Sequence, residues 1–135
     1  MAKTKTITGY FVDPENNIAE PRTIDKSLEG YYALLRCDCI DMPERRVGWN
    51  GGKRFTFICD DEGLLKSPAY VSALNRHDEP ALVGPIFAVK FDGREDVTSL
   101  TAKDIDYLDN HIETGWTITR EGKPLVARVL TGLEY

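Results

Sequence analysis

Arg54-Phe-Thr-Phe-Ile-Cys-Asp60-Asp-Glu-Gly63-Leu-Leu-Lys66 is the stretch that decides the fold. Its first half is rich in aromatic and β-branched residues and reads as a strand. Asp60-Asp-Glu-Gly63 is turn chemistry, with Gly63 free to take a positive φ. Downstream, Leu82 to Phe91 is the most apolar run and is expected as one central strand, Pro85 marking a bulge or a strand start. Ser99-Leu-Thr101-Ala-Lys-Asp104-Ile then opens a helix. Thr101 is a good N-cap, Asp104 stands at the third position of a capping box, and Leu100 with Ile105 forms a hydrophobic staple. Ile105, Leu108 and Ile112 make its buried stripe, and Gly115 is placed to close it.

Upstream, Thr6 to Val12 and Ile18 to Ile24 flank the turn formers Asp13-Pro-Glu-Asn-Asn17 and predict a hairpin. Pro21 cannot donate to a ladder, so the second strand is an edge or an irregular one. A short helix follows over Ser27 to Leu35, with Leu28, Tyr31, Tyr32 and Leu35 on one face. Gly30 weakens it by about 1 kcal/mol relative to alanine. Cys37 to Val47 and Lys53 to Asp60 are the third and fourth strands. Gly48-Trp-Asn-Gly-Gly52 joins them with a hairpin signal, and it fails the phosphate-loop pattern at Val47 and Arg54. Ser67 to Leu74 is ambiguous, and Pro68 after Ser67 is compatible with one or two helical turns. Trp116 to Arg120 and Pro124 to Leu130 form a last hairpin within residues 116–135. The fold class is α+β: a single domain with a small mixed or antiparallel sheet, two helices packed on it and a C-terminal hairpin.

With 135 residues, 41% of them hydrophobic and 29% charged, the chain is long enough and apolar enough to bury its own core. No apolar run approaches a membrane span, and the basic start Met1 to Thr6 has no apolar segment behind it. The net charge of −5 argues against non-specific nucleic-acid binding. The basic pairs Arg45-Arg46 and Lys53-Arg54 read as solvated hairpin edges. Cys37, Cys39 and Cys59 are expected as reduced thiols, the first two sharing one strand face. Two histidines, His77 and His111, stand at no metal spacing, so neither a metal nor another cofactor is expected.

Candidate chemistry is sparse. Cys59, His77 and Asp78 are the one nucleophilic arrangement on offer. The alternative is a buried strand cysteine beside a solvated loop histidine, and the apolar neighbours of Cys59 favour it. Asp60, Asp61 and Glu62 lack the spacing of a calcium loop. Tyr31 and Tyr32 are either core anchors or, with Trp49 and Arg54, contacts for a small molecule or nucleotide. Trp49 is either folded back on the sheet or a contact residue for a partner. Asp106, Asp109 and Glu113 fall at i, i+3 and i+7, with Asp92, Glu95 and Asp96 upstream. They gather like charge where neither helix pairing nor the dipole favours it. On that reading, changing Asp109 and Glu113 to lysine leaves the fold intact or slightly more stable. The face is either a solvated surface or a docking site for a basic partner.

Thr23-Ile-Asp25, Phe57-Ile-Cys-Asp60-Asp-Glu-Gly63-Leu, Asn75, Val83-Gly84 and Ser99-Leu-Thr101 together resemble a small, uncharacterised domain family of phages, plasmids and other bacterial mobile elements. The likeness runs from about Ile7 to His111, and the segment Cys37 to Trp49 and the last hairpin depart from it. The resemblance implies a cytoplasmic protein of a bacterial host and carries no family chemistry. The function expected is non-catalytic binding of a host or element-encoded protein, with counter-defence as a setting. The alternatives are a sequestering protein that binds a small molecule or nucleotide, and a cysteine-dependent enzyme.

Overall fold

The first hairpin forms as its turn residues predict. β1 (Thr6–Asp13) pairs antiparallel with β2 (Ile18–Asp25) from Thr6↔Asp25 to Asp13↔Ile18, and Asn17 takes a left-handed φ of 55° in the turn. In this computed structural model, residues 5–48, 52–61, 70–77, 79–91, 96–118 and 124–134 are described. β2 ends the sheet, so the missing amide of Pro21 costs no ladder bond.

α1 (Leu28–Leu35) is capped by Ser27, whose Oγ accepts from the Gly30 amide at 3.0 Å. A Cβ at Gly30 would stand 2.3 Å from the Asp25 carbonyl oxygen, so glycine here allows a close approach of helix to strand. Tyr31 and Leu35 are buried and Tyr32 is half-buried, but Leu28 is 56% exposed. The helix meets the core only from Tyr31 onward, and the expected four-residue face is shorter by its first member.

The third strand begins later than expected and is interrupted. β3 (Ile40–Asp41) and β4 (Glu44–Val47) both pair with β5 (Lys53–Asp60) in one continuous register, Ile40↔Asp60 through Val47↔Lys53. Between them Pro43 has no amide to give, although its carbonyl still accepts from Phe57 at 2.9 Å. Cys37 and Cys39 precede this ladder and do not share a face: Cys37 is buried beside the end of α1, and Cys39 is exposed.

One segment left ambiguous is resolved and one expectation is corrected. The described part of Ser67 to Leu74 is extended, not helical, since β6 (Val71–Asn75) pairs with β7 (Pro80–Val83). The run Leu82 to Phe91 is two strands. Gly84, at φ 81°, and Pro85 break it, and β8 (Ile86–Phe91) then pairs with β1 and β5 and not with β7. After β9 (Val97–Thr98) comes α2 (Ala102–Asp109) with its capping box as read. The helix stops at Asp109. Ile112 and Gly115 belong to β10 (Ile112–Ile118), which forms the last hairpin with β11 (Pro124–Leu133).

Among the described residues the sheet has eleven strands in the order β2-β1-β8-β5-β4-β11-β6-β7, with β10, β3 and β9 alongside β11, β5 and β8. It is mixed, because β11 runs parallel to β6 and the other ladders are antiparallel. It is a large sheet, not the small one expected. Side chains alternate across it. One face carries Tyr10, Val12, Phe55, Phe57, Ile86 and Ala88 and packs on Leu100 and Leu108. The other carries Ile7, Phe11, Ile58, Phe87 and Val89 and packs on Tyr31 and Leu35. The two helices therefore cover opposite faces, and each fully buried large side chain contributes roughly 1.5–3 kcal/mol. The sheet also curls on itself: Arg128 of β11 donates through its backbone and guanidinium to Asn17 at the tip of the first hairpin, both at 3.0 Å. Among the described residues no helix is long and apolar enough to cross a membrane.

Candidate functional site

The start of α2 is clamped to the sheet by a buried carboxylate. Asp104 is 1% exposed, and its Oδ2 accepts from the Thr101 amide and hydroxyl, both at 2.9 Å, and from Lys90 Nζ at 3.1 Å. Lys53 Nζ lies 3.5 Å from Oδ1 and 5.2 Å from the centre of the Tyr107 ring. Burial pushes the Asp104 carboxyl up, but the Thr101 hydrogen bonds and the Lys90 ammonium outweigh it and hold the group at about 2. The acid is charged and neutralised in place.

The far end of α2 is held as tightly. Tyr10 donates to Asp109 Oδ1 at 2.8 Å, and Tyr107 donates to the Val47 carbonyl. Burial raises the Tyr10 hydroxyl well above its ordinary value, and the bonded Asp109 raises it further. His111 Nδ1 meets the Tyr107 carbonyl at 2.8 Å. A carbonyl only accepts, so Nδ1 carries a proton and donates it to Tyr107. The two rings are in contact, with centroids 4.7 Å apart and planes tilted by 36°.

Beyond Asn110 the chain turns directly into β10, because Thr131 donates its amide and its hydroxyl to the His111 carbonyl. Gly48 and Gly132, at φ 107° and 79°, let β4 and β11 close against this junction, with the Gly48 amide 2.9 Å from the Gly132 carbonyl. A Cβ at Gly48 would stand 2.2 Å from the Tyr107 hydroxyl. Only glycine fits there.

A polar cleft of about 280 Å³ opens at this corner. Asn75 and Arg76 line it from the end of β6, Asn110 and His111 from the end of α2, Glu113 from β10, and Thr131 and Gly132 from β11. Asn75 Oδ1 accepts from the amides of His77 and Glu79, at 2.8 and 3.0 Å, which fixes the turn bearing Arg76. The cleft is lined by a guanidinium, a carboxylate and an imidazole, which suits polar recognition.

The structure distributes the residues singled out in the sequence. Asp106 and Asp109 are exposed on α2; Glu113 is exposed too, but on the strand after it, where it borders the cleft. Cys59 is buried on β5, and burial, followed by the carboxylates of Asp41, Asp60 and Asp61, pushes its thiol up to about 12. His77 enters the Asn75 turn through its amide, and Asp78 lies outside the described residues. Tyr31 is packed under α1 with Ile58 and Phe87, Tyr32 is half-buried beside it, and Arg54 is exposed near the other end of β5, 2.9 Å from Glu44. Trp49 lies outside the described residues. Arg76 and Asn110 were not singled out, and His111 was weighed only as a metal ligand, because their meeting depends on the parallel pairing of β6 with β11, which no local motif announces.

No curated protein and no solved structure matches the chain. Residues 7–113 match the family model described as a domain of unknown function, DUF3846. That span runs from β1 through both helices to Glu113 at the edge of the cleft, and it leaves out β11. With most of its length inside that match, the chain belongs to the DUF3846 family.

Proposed function

We propose that this is a non-catalytic binding protein of a phage or other mobile element, which docks a basic protein of the host or of the element at the corner where α2 turns into β10. The mobile-element setting, and a counter-defence role within it, rest on the family resemblance alone. One observation carries the docking reading. The buried Asp104 is neutralised by Lys53 and Lys90, whereas Asp106, Asp109 and Glu113 stay exposed and form no ion pair among the described residues. Glu113 lines the cleft and Asp106 and Asp109 stand exposed on the helix that leads to it, and such carboxylates favour encounter with a cationic surface. The raised thiol of Cys59 speaks against a cysteine-dependent enzyme, since the thiolate is the nucleophile.

The test is capture from host lysate with the wild-type chain and with an Asp106→Lys, Glu113→Lys variant as bait. Asp109 is left alone because it accepts from Tyr10. A partner lost both in the variant and at high salt supports the reading. A partner retained in full by the variant contradicts it.

A further inference from the structure

A second surface, on β4, β5 and β8, carries an arrangement that the docking corner does not use. Arg46 and Arg54 are direct cross-strand partners, so two guanidinium groups stand side by side on one face of the sheet. Like charges in that position repel, and here they occur in a chain of net charge −5. Their side chains are 39% and 59% exposed. β5 and β8 stay paired as far as Thr56↔Val89; beyond it Lys90 and Phe91 pair with β9. The strands part there and leave a cleft of about 200 Å³ lined by Arg54, Lys90 and Phe91, among others. An adjoining cleft of about 300 Å³ is lined by Arg45, Arg46 and Arg54 with Glu44 and Glu134. Phe91 is 47% exposed, one of three large apolar side chains so placed among the described residues.

We propose that these adjoining clefts bind a nucleotide, its base stacked on Phe91 and its phosphate held by Arg54 and Arg46. An aromatic ring beside paired guanidinium groups matches a ligand that joins a planar base to an anion. Glu44 pairs with Arg54 at 2.9 Å and Glu134 with Arg46 at 3.9 Å, so a phosphate competes with these carboxylates. Both pairs are exposed, and exposed pairs are weak enough to be displaced. The inference does not depend on the docking corner. It also separates Arg54 from Tyr31, which is buried under α1 and takes no part.

Calorimetric titration of the full chain with AMP, adenosine, inorganic phosphate and a short oligothymidylate tests it. AMP is expected to bind, with adenosine and phosphate each at least about tenfold weaker. Phe91→Ala and Arg54→Gln should each weaken AMP by about tenfold. Glu44→Gln should tighten it, and Asp106→Lys with Glu113→Lys should leave it unchanged. Oligothymidylate that binds more tightly than AMP, with the same sensitivity to Phe91 and Arg54, also supports the site and identifies a nucleic-acid strand as the source. Three results would overturn the proposal: no AMP binding at millimolar concentration, phosphate binding as tightly as AMP, or AMP binding that neither variant weakens.

Discussion

Asp104 stays charged although it is 1% exposed, because Thr101 and Lys90 surround the carboxylate with donors. Its folded value of about 2 lies below the ordinary 3.8, so the ionised form stabilises the fold above pH 3.8, and this contribution is lost as pH falls through about 2. Integrated over that window it amounts to about 2 kcal/mol. Urea unfolding across this range should show the loss in the wild type and a flatter acid limb in Asp104→Asn. Equal limbs would mean that the pairing is not felt. The cysteines give a second prediction. Cys39 is exposed, whereas Cys37 and Cys59 are buried, and the Cys59 thiol is held at about 12. Alkylation of the native protein near neutral pH should label Cys39 alone, with the other two reacting only on unfolding. Rapid native labelling of Cys59 would restore it as a nucleophile. The sequence made the capping box legible, since Thr101 and Asp104 are three residues apart and act locally. It could not reveal the lysines that complete the clamp, which arrive from two strands.

At the scale of elements, α2 and β10 revise the acidic face. The pattern Asp106, Asp109, Glu113 assumed a helix running to Gly115, but Thr131 captures the His111 carbonyl and the chain becomes a strand at Ile112. Glu113 is therefore not a helical neighbour of Asp109, and the repulsion inferred between them does not arise from helix geometry. Asp109 has an internal partner in the hydroxyl of the buried Tyr10. Asp109→Lys is thus expected to destabilise by about 1.5–3 kcal/mol, the worth of a hydrogen bond to a charged group, and not to stabilise. Thermal melts of Asp109→Lys in the wild-type and Tyr10→Phe backgrounds check this: the cost should shrink when the hydroxyl is gone. The first hairpin, the β4–β5 hairpin and both helix starts were readable because turn and cap residues sit next to the elements they end. Pro43, Gly84 and Pro85 were visible as well, but whether a proline interrupts a strand or splits it depends on which neighbours then pair with the two halves.

At the scale of the whole molecule, β11 ties the sheet together. It pairs with β10 on one side, reaches β4 at Leu133↔Val47, and runs parallel to β6 through Leu130↔Ala73. Leu130 and Leu133 are buried in the larger core cluster. Although β11 lies outside the family match, it is no appendage. A chain ending at Glu113 should lose cooperative unfolding, seen as collapsed dispersion of its amide NMR signals; a well-dispersed spectrum would show that the matched span folds alone. The size of the sheet was not legible for the same reason: β11 joins it through partners from distant parts of the chain. The docking corner is likewise a product of this assembly, since the ends of β6 and α2, the start of β10 and the bend in β11 meet only in the folded chain. Its role is tested most directly by amide hydrogen exchange on the captured complex. Exchange is expected to slow on partner binding over residues 102–113 and 75–77. Protection confined to the first hairpin, with those residues unchanged, would contradict it.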